Sequence, residues 1–130
     1  MAGTIVADTL QSSITGTPVQ FNDGVGTQIG TLCRAWVNFN GTGTVAIRAS
    51  FNVSSITDNG TGDYTINFTN ALPDANYNAV GALGGSTVLT VDIGILAANA
   101  PTTTTLRFGS RRTTDGVLID ATYANISIFR

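Results

Sequence analysis

The chain has 130 residues, a formal net charge of -2 and only 11% charged residues, and it contains no Lys, Glu or His: all six bases are Arg and all eight acids are Asp. That length suits one domain with a real core. Missing Lys and Glu, which normally coat helix surfaces, argue against exposed helices, and so sparse a charge leaves no basic footprint for nucleic acid or anionic lipid.

Residues 1–32 are rich in Thr, Ser, Gly and Gln, with short apolar pieces only: Ile5 and Val6, Val19 and Phe21, Ile29. Such a segment cannot close a core alone, so it reads as an arm that orders by packing on something else. The start MAGTIVADTL has neither the basic nor the apolar region of a secretory signal. No apolar run reaches the roughly eighteen residues of a membrane span, so the expectation is synthesis in a reducing cytoplasm without membrane insertion. The single Cys33 has no partner for an intrachain disulfide and reads as a small buried hydrophobe.

From residue 33 to residue 130 the pattern becomes that of an all-β antiparallel sandwich. In RAWVNF, Ala35, Val37 and Phe39 share an inward face, and Arg34, Trp36 and Asn38 face out. NGTG follows as a turn, its Asn-Gly offering the positive φ that a tight hairpin needs. TVAIRASFNV predicts one long strand with Val45, Ile47, Ala49, Phe51 and Val53 on the core side.

The next strand, DYTINFT, points Tyr64, Ile66 and Phe68 inward. Register then decides how SSITDNGTGD is read. Pairing Ile56 with Tyr64 leaves Phe51 and Val53 with the wrong parity, and one extra residue at Ser54 or Ser55 repairs it. A bulge there predicts Val53 opposite Ile66 and Phe51 opposite Phe68. DNGTGD becomes the turn of a bulged hairpin, with Asp58 bonding its own backbone. A calcium loop is disfavoured, because only Asp58 and Asp63 are acids and no Glu closes the set.

NYNAVGAL, STVLTVDIGIL (Leu89, Val91, Ile93 and Ile95 in phase), TTLRFGS (Leu106 and Phe108 in, Arg107 out) and TYANISIF (Ala124, Ile126 and Ile128 in) complete the strands. The connections are NALPDAN, LAANAPTTT and RRTTDGVLID.

The outward Trp36, with Arg34 beside it, reads as a subunit contact, since interfaces are enriched in Trp; stacking on a sugar ring is the alternative. Arg111 and Arg112, with Asp115 close behind, are the densest charge in the chain. They read as a solvated loop or as Arg forks for an acidic or hydroxyl-rich glycan. Without His or Glu, general acid–base work falls to Asp alone, and only Asp92 lies mid-strand, on the polar face with Thr90. The expectation is no enzyme, no cofactor and no metal. The low-charge surface without Lys or Glu predicts a closed cyclic assembly that shelters strand edges.

The block AWVNFNGTGTVAIRASFNVSSITDNGTGDYTINFTNALPDANYNAVG, Ala35 to Gly81, resembles a segment of tail-fibre proteins of tailed bacteriophages, and covers over a third of the chain. GTIVADTLQSS and the closing ISIFR are similar to the openings and last strands of such fibres; residues 82–120 carry no resemblance. The resemblance implies a virion protein: a small β-sandwich tip, a homotrimer, docked on tail or baseplate proteins through residues 1–32. It would bind a host-surface glycan or outer-membrane receptor. A capsid decoration or head-fibre role, and a polysaccharide-degrading fibre, are the alternatives. The chain has no shaft, heptads or collagen-like repeat of a long fibre.

Overall fold

The computed structural model describes residues 20–22, 27–29, 33–85, 91–95 and 100–130. The chain divides into two compact units, Met1–Leu32 and Cys33–Arg130. In the first, β1 (Gln20–Asn22) and β2 (Thr27–Ile29) pair antiparallel, with Phe21 opposite Gln28. The rest of the expected arm, including Ile5 and Val6, lies outside the described residues.

The second unit holds eight described strands: β3 (Cys33–Asn40), β4 (Ala46–Phe51), β5 (Val53–Gly60), β6 (Asp63–Phe68), β7 (Asn78–Gly84), β8 (Val91–Ile95), β9 (Thr105–Arg112) and β10 (Tyr123–Phe129). They form two antiparallel sheets, in the orders β4-β3-β10-β7 and β5-β6-β9-β8, called here the first and second sheet. No helix occurs among the described residues. The inward sets read from the sequence meet between the sheets: Ala35, Val37 and Phe39 with Ala124, Ile126 and Ile128, against Tyr64, Ile66, Phe68, Leu106 and Phe108. Phe39 meets Tyr64 edge-on at 5.2 Å and Phe108 at 6.1 Å, the geometry that aromatic quadrupoles favour. Leu89 lies outside the described residues; Ile93 packs against the core.

The long strand predicted over 44–53 is two strands in two sheets. Arg48 is an extra residue on β4: Asn38 pairs with Ala49, and Phe39 with Ile47. That bulge reverses the alternation. Val45 still packs on the core, whereas Ala49 and Phe51 turn to the outer face, Phe51 being 55% exposed. Asn52 then takes a φ of 56°, which non-Gly residues other than Asn and Asp rarely adopt. It turns the chain from the first sheet into the second. Its Nδ2 donates to the Arg34 and Asn70 carbonyls, and its Oδ1 accepts from the Asn70 N–H at 2.8 Å. Val53, beyond the corner, is buried again.

The β5–β6 hairpin is bulged at Ser54 as expected, but its register differs. Val53 lies opposite Phe68 and Ile56 opposite Ile66, while Phe51 belongs to the other sheet and pairs with Trp36. A second bulge at Asn59 shortens the turn to Thr61 and Gly62. Asp58 Oδ1 accepts the Gly60 N–H at 2.9 Å, closing DNGTGD as a turn. In the β3–β4 turn the positive φ falls on Gly43, at 63°, rather than on Asn40-Gly41. Asn40 instead staples that turn through its side chain, Nδ2 donating to the Thr42 carbonyl at 2.6 Å. Cys33 is half-buried, not buried, because it starts β3 at the rim of the sheet.

One polar cluster ties three connections together. The Tyr64 hydroxyl lies 2.8 Å from the Gly41 carbonyl and 2.6 Å from Asp120 Oδ1, which also accepts the Gly62 N–H at 2.7 Å. Burial first, then Asp120, raises the Tyr64 phenol well above its ordinary value.

Candidate functional site: the outer face of the first sheet

Alternation on β3 and β10 sends Trp36, Asn38 and Asn40 outward alongside Tyr123, Asn125 and Ser127. Neighbouring strands complete two rows across the sheet. Phe51, Trp36, Ser127 and Val80 form one; Ala49, Asn38, Asn125 and Ala82 form the next. Trp36 is 39% exposed, Val80 47% and Tyr123 51%. With Phe51, that gathers four of the six exposed large hydrophobic residues of the described chain on one face.

Between the aromatic ends lies a hydrogen-bonded strip. Asn38 Nδ2 donates to Asn125 Oδ1, Asn125 Nδ2 to the Ala82 carbonyl at 3.4 Å, and Arg48 Nη1 to Asn38 Oδ1 at 3.4 Å. The Arg48 guanidinium carbon sits 4.5 Å from the centre of the Tyr123 ring, a cation–π contact. Asn38 and Asn125 being fixed in place, the strip is rigid on the scale of a small ligand.

Charge is one-sided here. None of β3, β4, β7 and β10 contains an Asp, and they carry Arg34 and Arg48. The Arg34 Nε–H donates to the Arg130 carbonyl at 3.0 Å. The nearby Asp74 carboxylate is held by the Arg130 fork, with Nη2 to Oδ2 at 2.6 Å, and that fork keeps its carboxyl below its ordinary value.

The outer face of the second sheet has a different chemistry. Ser55, Thr57, Asn59, Thr65 and Asn67 bond one another, and Arg107 clamps Asp63 with Nε at 2.8 Å and Nη2 at 2.7 Å. This fork lowers the Asp63 carboxyl, against a smaller opposing effect of burial. No exposed aromatic side chain of the described residues belongs to that sheet.

The structure separates the residues of the Arg111, Arg112 and Asp115 cluster. Arg112 Nη1 meets Asp115 Oδ2 at 2.8 Å, while alternation along β9 sends Arg111 to the opposite face, level with Asp92. The Arg111 Nη2 lies 3.2 Å from where a methyl on Gly94 would sit, so its guanidinium covers that glycine. Of the other candidates, Trp36 stands on the outer face of the first sheet, and Arg34 is the extra residue near the start of the same strand. A cavity of about 40 Å3 opens between β7 and β8, lined by Ala79, Gly81, Ile93 and Phe108, and is far smaller than an ordinary ligand pocket. No group of three His, Cys, Asp or Glu among the described residues could hold a metal ion.

Comparisons with protein-family models, with curated proteins and with solved structures found no match. The site therefore rests on its own chemistry. Three of its members escape the sequence pattern. Phe51 is assigned inward by simple alternation, and only the bulge at Arg48 turns it out. Arg48 meets Tyr123 across three strands of the sheet, a contact that local spacing does not encode. Val80 lies in a strand of small residues that carries little periodic signal. Trp36 was legible from the alternation of Ala35, Val37 and Phe39, and Tyr123 has the parity opposite to Ala124, Ile126 and Ile128.

Proposed function

We propose that this chain is a structural and adhesive virion protein of the tail-fibre class, presenting the outer face of its first sheet to a host-surface glycan. The observation that carries this reading is the open aromatic face: Trp36, Phe51 and Tyr123 exposed together on a sheet whose two central strands bury their other side in the core. A patch of that kind marks an interaction site on an otherwise polar surface. The resemblance of Ala35 to Gly81 to phage fibre proteins supplies the setting, and that block contains Trp36, Arg48 and Phe51.

At 150–250 Å2 per aromatic side chain, the three rings leave on the order of 300 Å2 in water. A stable protein–protein contact takes about 800 Å2 from each partner. The rings by themselves fall short of that area, and we assign Trp36 to the receptor. Homotrimer formation and docking on tail or baseplate proteins are then assigned to residues 1–32, whose few apolar residues need a surface to pack on.

Immunogold labelling of intact virions tests the location: label on tail tips is expected, and label on heads would replace the reading with capsid decoration. Purified chain is also expected to block adsorption of the virion. Release of reducing ends from host polysaccharide would instead make it an enzyme. Removing residues 1–32 is expected to leave a folded unit that no longer enters particles; normal copy number in virions would refute the docking role.

A further inference from the structure

We infer that the glycan taken by the outer face of the first sheet is an acidic saccharide, bound along the line from Trp36 and Phe51 to Tyr123 with its acid groups on Arg34 and Arg48. This rests on the glycan-binding reading above and adds its chemical class and its position.

A pyranose ring has an apolar C–H face and a polar rim, so it stacks on an aromatic ring and bonds to amides at its edges. The face offers both in alternation. Trp36 and Tyr123 lie on adjacent strands, about four residues apart along them, or roughly 13 Å. The fixed Asn38–Asn125 pair lies between. That spacing suits a short oligosaccharide lying along the strands better than a single sugar.

The two arginines decide the charge. Arg107, Arg112 and Arg130 each pair with an Asp. Among the described residues Arg34 and Arg48 pair with no Asp side chain, and no strand of their sheet contains an acid. Both stand at β-bulges. Arg48 is the extra residue between Ile47 and Ala49. Arg34 is the extra residue between Cys33 and Ala35, whose partners on β10 are the adjacent Phe129 and Ile128. Bulges re-aim side chains, and the pair stands at the two ends of the aromatic line. Arg48 is further held on Tyr123 and Asn38, which lowers the ordering cost of binding. A guanidinium toward each end, Arg48 held on Tyr123 and Arg34 on the Arg130 main-chain oxygen, in a sheet whose strands carry no acid, complements an anionic ligand and adds little for a neutral one.

The chain has one Trp, and it sits in this face. Trp36 emission is therefore a reporter of this site alone. The full-length protein is titrated with a short homouronate oligosaccharide and with a neutral glucose oligosaccharide of the same length, followed by emission and by calorimetry at two salt concentrations. The uronate is expected to shift Trp36 emission, with an affinity that falls as salt rises. Arg48→Gln and Arg34→Gln are each expected to weaken it about tenfold, the size of one charge-assisted hydrogen bond. Arg111→Gln, on the other sheet, is expected to leave it unchanged. Equal binding of both oligosaccharides would overturn the acidic assignment and leave the glycan reading intact. Silence of Trp36 toward both, in a protein that still labels tail tips and blocks adsorption, would overturn the assignment of this face while sparing the fibre role. An emission shift on raising protein concentration alone would show the face covered by a second copy and also overturn it.

Discussion

Two glycines with nearly the same backbone angle separate the cost of a strained φ from the cost of a close approach. Gly43 has a φ of 63° with open space where a Cβ would stand, and Gly62 has 66° with the Ile119 nitrogen and the Ser110 oxygen each 2.6 Å from that point. Alanine at Gly43 meets only the left-handed penalty, roughly 1–2 kcal/mol. Alanine at Gly62 must in addition push β9 and the 117–120 segment away from the turn. Doing so strains the Ser110 N–H to Gly62 carbonyl bond, 2.7 Å, the Ile119 N–H to Ser110 carbonyl bond, 2.9 Å, and the Gly62 N–H to Asp120 bond. At about 0.5–1.5 kcal/mol per bond, with the charged one about 1.5–3, the total comes to roughly 3.5–8 kcal/mol if all three bonds are lost. In a domain of this size about 1 kcal/mol moves the thermal midpoint by some 4–8 °C. Melting followed by far-ultraviolet circular dichroism is therefore expected to fall by under about 15 °C for Gly43→Ala and by about 15 °C or more, up to loss of the folded state, for Gly62→Ala. Equal shifts in the two variants would refute the close packing of the turn against β9.

Tyr64→Phe removes the hydroxyl that bridges Gly41 and Asp120 but keeps the ring, and is expected to cost about 1–3 kcal/mol in denaturant unfolding, with no change in Trp36 emission. The Arg107 fork holds the folded Asp63 carboxyl below its ordinary 3.8. Its stabilisation is thus present above the unfolded value and lost as pH falls through the lower folded one. The thermal midpoint is expected to drop on acidification below about pH 4, and less steeply in Arg107→Gln; identical pH profiles would remove the ion pair from the account. Deleting Ser54 abolishes the bulge, so that either Val53 leaves the core or Ile56 slips from Ile66; a loss of roughly 1.5–3 kcal/mol is expected, and wild-type stability in urea would contradict the register.

The residues that must be hidden are legible strand by strand. Period-2 alternation in DYTINF, TLRF and YANISIF names Tyr64, Ile66, Phe68, Leu106, Phe108, Ala124, Ile126 and Ile128 as core, and all are buried. Alternation survives translation into structure wherever a strand runs unbroken between two neighbours, as β6, β9 and most of β10 do, because the pleat then leaves each side chain one face only. The outward placement of Trp36 followed from the same rule. Tertiary structure decided what happened at the edges. The bulge at Arg48, the corner at Asn52 and the register of β5 depend on which strands lie opposite, and no local spacing carries that. Phe51 shows the consequence: the same residue that alternation places in the core stands in water beside Trp36, because one extra residue within β4, Arg48, inverts the pleat. The aromatic face with its two re-aimed arginines is thus a product of irregularities. Core residues are specified one strand at a time by burial, while this surface exists only once the β3–β4 hairpin is joined by β10 and β7 from later in the chain.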